Sequence, residues 1–128
     1  MSKTVDFLHK TGVFYHVSVD GSEARVHPIN SVIEYNGKIY FETSNTKDMY
    51  RQMVENPSFA VCGMADGKWI RITGKAVMDT SDAAKQAIFE AIPALKNVYT
   101  YEELVPYYIA EMKSTVCSFD APPIALED

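Results

Sequence analysis

The sequence predicts an α+β fold: six or seven mostly antiparallel strands curled into a small barrel, with a few peripheral helices. Three observations carry that prediction. Val13, Tyr15, Val17 and Val19 alternate with Phe14, His16 and Ser18, the two-residue period of a strand with one face buried. The dipeptides Asp20-Gly21, Asn36-Gly37 and Asp66-Gly67 sit between apolar runs, where they join neighbouring strands as hairpins. Helical periodicity is confined to short segments, and a long antiparallel sheet tends to close on itself.

Each element has its own signal. Thr4 to Lys10 reads as a short helix stopped by Gly12. "EARVHPI" returns the first hairpin, and Pro28, lacking an N–H, means that this strand lies at an edge or breaks there. "SVIEYNGKIYFET" is a hairpin about Asn36-Gly37. The helix after it presents Met49, Tyr50, Met53 and Val54 on one face and ends at Asn56-Pro57. "SFAVCGMADGKWIRITGKAVMD" is a third hairpin, with a long second strand from Lys68 to about Asp79. Ser81 or Asp82 caps the helix "AAKQAIFEAI", which Pro93 stops. "NVYTYEELVPYYIAEM" reads as irregular with a helical turn or two, "STVCSFDA" as a final strand and "PPIALED" as a tail.

The length of 128 residues suits one domain spanning residues 1–128, and 47% hydrophobic with 23% charged residues is ordinary for a globular chain. A net charge of −5 with no run of Lys or Arg argues against nucleic acid or an anionic membrane as partner. The apolar runs are too short to span a membrane, and "MSKTVDFLHKTG" lacks the apolar core of a secretion signal, so a cytoplasmic location is expected. Cys62 and Cys117 have no CxxC spacing and lie among apolar or small neighbours. Buried free thiols are expected there, ahead of a disulfide or a reactive site.

Several chemistries lack the residues they need. His9, His16 and His27 have no metal-ligand spacing with Asp, Glu or Cys, so no metal site is expected. No GxSxG, P-loop or GxGxxG occurs. Three stretches remain. In "TSNTKD", Asn45 or Thr46 caps the following helix with Lys47 solvated, or the hydroxyls, the free helix N–H groups and Lys47 converge on a phosphate. Lys47 is a cation at the positive end of a helix, which is unfavourable unless an anion joins it. In "EARVHP", Arg25 and His27 share a strand face, which is either solvated or an anion wall. In "GKWIRITG", Trp69, Arg71 and Thr73 oppose a core-facing Ile70 and Ile72; the Trp–Arg pair either stacks on the surface or meets a planar partner or another subunit.

Together and in this order, these stretches resemble the flavin-binding split-barrel family related to pyridoxamine 5′-phosphate oxidase. Within it, the chain is most similar to the short, single-domain branch of general-stress and nitroimidazole-resistance-type proteins. The resemblance runs from about Val5 to Phe119. It rests on "ARVHPI", "GKIYFETSNTKDMYRQMVENP", "GKWIRITGKAV" and "STVCSF". It implies a split β-barrel that forms a homodimer with FMN in a groove at the subunit interface. By residue, it assigns Arg25 to the FMN phosphate and Val26, His27 and Pro28 to the strand beneath the flavin ring. Thr43 and Ser44 contact flavin and ribityl oxygens, Thr46 and Lys47 form the phosphate pair at the helix start, and Trp69 and Arg71 reach the cofactor from the other subunit. FAD or a deazaflavin shares the ribityl-phosphate that such a cradle reads. Thr46 stands where the fuller oxidases place an arginine. The chain also lacks the C-terminal Trp and Arg-x-His segment with which those oxidases hold pyridoxamine phosphate, so a different substrate is expected.

The resulting expectation is an FMN-binding flavoprotein, an oxidoreductase on a small-molecule substrate, with His27 as the leading side-chain proton donor and no other catalytic residue assigned. A non-catalytic flavin or ligand carrier or sensor uses the same groove. A structural dimer with an empty groove is the third reading. Tyr99, Tyr101, Tyr107 and Tyr108 crowd one stretch, where they serve a dimer interface or cover one end of the barrel.

Overall fold

A computed structural model describes residues 2–127. Helix α1 (Lys3–Thr11) is capped by the Ser2 hydroxyl, which accepts from the Val5 N–H, and it ends at Gly12 with φ 73°. Strands β1 (Phe14–Asp20) and β2 (Glu23–Ile29) form the first hairpin, and β3 (Ile33–Tyr35) and β4 (Lys38–Ser44) the second. Helix α2 (Asp48–Glu55) follows. Then come β5 (Ser58–Ala65), β6 (Lys68–Met78), α3 (Asp82–Ala91), a 3₁₀ turn over Pro93–Asn97, β7 (Leu104–Cys117) and β8 (Ile124–Ala125). Asn36 and Gly37 both have positive φ, as do Asp66 and Gly67, the requirement of the type I′ turns that their sequences predict.

The strands form one antiparallel sheet in the order β2-β1-β5-β6-β7-β4-β3, with β8 beside β7. Edge strands β2 and β3 do not pair with each other, so the sheet curls without closing: a split barrel. Inside it, Phe14, Phe41, Phe59 and Tyr107 stack edge-on or face-on around Ile70, Ile72 and Met53. A second apolar cluster, Tyr40, Ala84, Ile88, Phe89 and Leu104, seats α3 on β4 and β7.

Four expectations are corrected. The described residues form eight strands, the eighth being the two-residue β8 drawn from the segment read as a tail. Residues 104–112 are not irregular but open the long strand β7. Pro106 conceals this, because an interior proline argues against a strand. Its carbonyl accepts from the Asp79 N–H just past the end of β6, so the side where its own N–H is missing has no ladder bond to lose. The strand also bends: Glu111 at φ 54° forms a bulge opposite Gly74, where a Cβ would lie only 2.7 Å from the Ala110 carbonyl oxygen. Cys62 is exposed, since the period of β5 turns Phe59, Val61 and Gly63 inward; Cys117 is buried, and both thiols are free. On α2, Val54 is exposed and Gln52 takes its place on the buried face.

Candidate functional site

The start of α2 lies beside edge strand β2. His27, Pro28 and Ile29 face Lys47, Asp48 and Met49 across a cavity of about 380 Å³. The juxtaposition follows from register. His27 pairs with His16 and Arg25 with Ser18, so these four side chains share the inner face of the β1–β2 ribbon. Gln52, fully buried on α2, meets two of them. The Ser18 hydroxyl donates to Gln52 Oε1, and His27 Nε2 lies 3.1 Å from Ser18 Oγ and 3.2 Å from Gln52 Oε1. An Nε2–H gives each of these contacts a donor, which leaves Nδ1 as the basic nitrogen of neutral His27.

The first turn of α2 is built differently from expectation. Neither Asn45 nor Thr46 caps it. The N-cap is Lys47 itself, whose side chain makes no cap hydrogen bond. The Ser44 hydroxyl instead accepts from the Thr46 N–H at 3.2 Å and lies 2.7 Å from the Thr46 hydroxyl, while the Asn45 amide donates to the Glu102 carbonyl. The Lys47 ammonium donates to Tyr99 Oη at 2.6 Å, with the Tyr99 ring also within cation–π reach. Lys47 is thus neither free in solvent nor paired with a carboxylate.

The remaining predicted residues divide. Arg25 stands near this corner but holds Glu23 at 2.6 Å and Asp20 at 3.5 Å, and Asp20 also takes Arg51 of α2 at 3.5 Å. These pairs are exposed, so they exchange readily for a better anion. Val26 and Pro28 point to the outer face of the sheet. Thr43 faces the interior, its hydroxyl buried without a protein partner. Trp69 and Arg71 lie elsewhere: β1 and β5 separate their strand from β2, and Trp69 packs on Phe119 at 4.8 Å. Register nevertheless aligns Pro28, Tyr15, Cys62 and Arg71 in one row across the outer face. One molecule therefore brings His27–Ile29 to Lys47–Met49 and leaves Arg25, Ser44, Thr46, Trp69 and Arg71 outside the lining of that cavity.

Neither family models nor curated proteins yield a match to the chain. Solved structures do. A NimC/NimA family protein from Clostridium acetobutylicum is 35% identical, superimposes with a TM-score of 0.92, and is aligned over 97% of this chain and 89% of its own. The chain belongs to the NimC/NimA family. This agrees with the branch that the sequence resembles. A protein related to general stress protein 26 (pyridoxinephosphate oxidase family), also from C. acetobutylicum, has a TM-score of 0.71 at 9% identity over 98% of this chain and 92% of that one. A heme binding protein from Mycobacterium smegmatis has a TM-score of 0.75 at 13% identity over 93% of this chain and 54% of that one. At such identities the last two share the fold alone.

Within this NimC/NimA site, sequence reasoning missed Gln52, Ser18, Tyr99 and Glu42. Two buried groups lie out of their ordinary range. Burial, aided by the neighbouring His27, lowers His16 to about 3, so it is a neutral ring stacked on Phe59 at 4.6 Å. Burial raises Glu42 to about 7, against the opposing pull of the Ser31 hydroxyl and of Lys47. The folded protein therefore holds the Glu42 proton more tightly than the unfolded chain does. Stability falls as pH rises from about 4.5 to 7, and the ionised carboxylate above that window costs on the order of 3 kcal/mol. Glu42→Gln is expected to stabilise the protein by about 1–3 kcal/mol at pH 8 and to change little at pH 4.5; urea unfolding at the two pH values checks this.

Proposed function

We propose that this chain is an FMN-binding flavoprotein that works as a homodimer and catalyses an oxidoreduction on a small-molecule substrate. The observation that carries the reading is the single cavity shared by His27–Ile29 of β2 and Lys47–Met49 at the start of α2. The donors there suit a phosphate. Lys47 lines the cavity at the N-terminal end of α2, which lacks a side-chain cap; the paired Ser44 and Thr46 hydroxyls precede it in the chain, and Arg25 can leave its exposed carboxylates to join them. Asp48 opposes an anion at the same turn, which fits the absence of the arginine that Thr46 replaces. FAD or a deazaflavin meets the same donors, because the phosphate end is common to all three.

When bound, FMN supplies one- and two-electron redox chemistry. The chain's own residues bind and orient it. Lys47 and Arg25 neutralise the phosphate, and the hydroxyls of Ser44 and Thr46 fix its position. His27, held through Nε2 by Ser18 and Gln52, offers an imidazole at the cavity wall that can hold or release a proton on Nδ1. A carrier or sensor would use the same groove without turnover.

The second protomer is supported by the outer face of the sheet. Tyr15, Val26 and Met64 are each at least half exposed there, beside the exposed Cys62. A contiguous apolar face of this kind marks a protein contact. A partner seated on it would bring its own Trp69 and Arg71 toward the β2 row with which they align.

The freshly purified protein is expected to keep a flavin absorption spectrum after FMN is added and the excess removed. Lys47→Ala is expected to weaken FMN by about 10- to 100-fold, the worth of one charge-assisted contact. A colourless protein that releases FMN, or one that retains heme instead, contradicts the proposal. Reduction by NADH or NADPH with turnover on an acceptor separates enzyme from carrier. Sedimentation velocity is expected to give a dimer that Tyr15→Glu converts to a monomer with unchanged far-UV circular dichroism; a wild-type monomer would refute the interface.

A further inference from the structure

A larger cavity, about 630 Å³, lies between α1, the β2–β3 connection and the corner where α3 meets the 3₁₀ turn. It shares no lining residue with the cavity at Lys47. Its size is that of a small-molecule pocket. The floor is apolar: Val5 and Val32 are buried, and Ile33, Ile92 and Leu95 complete it.

The charged side chains described around this floor favour a cation. Asp6 and Glu34 line it, and none of its described lining residues is Lys or Arg. One Glu34 oxygen accepts from the Ser2 N–H at 3.1 Å, so the other oxygen remains as an acceptor. His9 Nε2 lies 2.9 Å from the Val32 carbonyl and must donate to it, which leaves Nδ1 of the neutral ring as another acceptor. That hydrogen bond also ties α1 to the connection forming the opposite wall. Finally, Ala91 and Ile92 bring the carboxyl end of α3 to the cavity, and no basic residue lies in the last turn of that helix to offset its negative pole.

We propose that this cavity is a second binding site, for a small organic cation: an amine or amidinium on an aliphatic or aromatic body. The body packs on Val32, Ile33 and Leu95, and the charged end meets Asp6 and Glu34. An anion of the same shape is repelled, and a neutral isostere loses the ionic contact. The site is independent of the flavin reading, although its wall at Asn30–Val32 continues directly from the His27–Ile29 segment of β2.

The test is an ¹H–¹⁵N NMR titration of the full chain with three probes of one shape: phenethylamine, 2-phenylethanol and phenylacetate. Phenethylamine is expected to give saturable shifts at the amides of Val32–Glu34 and Ile92–Leu95. The alcohol is expected to bind about tenfold more weakly and phenylacetate more weakly still. Asp6→Asn, an exposed change that should preserve the fold, is expected to weaken the amine several-fold and to leave the alcohol unaffected. Leu95→Trp should fill the cavity and abolish all shifts. The proposal is overturned if no probe gives saturable shifts at these amides, if amine and alcohol bind equally, or if the amine binds Asp6→Asn as tightly as it binds the wild type.

Discussion

The hydrogen-bonded cluster of Ser18, His27 and Gln52 is the constraint on which the candidate site depends. Strand β2 is an edge, paired only with β1, and α2 is two turns long, so neither is fixed by its own backbone bonds. The cluster joins them. Burying a glutamine carbonyl is unfavourable unless it finds a donor, and here Gln52 Oε1 meets both the Ser18 hydroxyl and His27 Nε2. Because the satisfied arrangement is specific in geometry, the start of α2 can sit only beside His27, Pro28 and Ile29. Met49 and Met53 then anchor the helix in the core below.

Charge around that corner is balanced closely. Lys47 donates to Tyr99 and its charge acts on Glu42, and Arg25 is held by Asp20 and Glu23. Without an anion these contacts keep the cations ordered. A phosphate would displace exposed ion pairs, which are weak, and gain charge-assisted bonds at the helix end, which are stronger. On the proposed reading the corner would take a dianion by exchange, with fewer cations than an arginine at position 46 would give.

Much of this was legible in the sequence, and what was not has identifiable causes. The hairpins at Asn36-Gly37 and Asp66-Gly67, the edge status of the strand with Pro28, and the nearness of "ARVHPI" to "SNTKD" follow from turn chemistry, proline and resemblance. Gln52 was hidden because a polar residue at position i+3 of an apolar helix face looks like a boundary, and only the fold reveals Ser18 and His27 opposite it. Residues 104–112 were hidden by Pro106, whose missing N–H is harmless only because β6 ends at Met78. Cys62 faced out of a strand whose two sides are both apolar or small, so that period alone could not assign it a side. Trp69 and Arg71 are expected at the cofactor from the other subunit, and within one chain two strands separate theirs from β2. The larger cavity at α1 is built from three segments distant in sequence and left no motif.

The measurement that bears most directly on the central claim is the affinity of the purified protein for FMN against riboflavin, which differs only in lacking the phosphate. Fluorescence quenching or calorimetry suffices. If Lys47, the paired hydroxyls and the start of α2 form a phosphate cradle, FMN binds about 100-fold more tightly or better, and added salt narrows the difference. Equal affinities would mean that the corner between β2 and α2 does not read the phosphate, and the account of the site would be wrong.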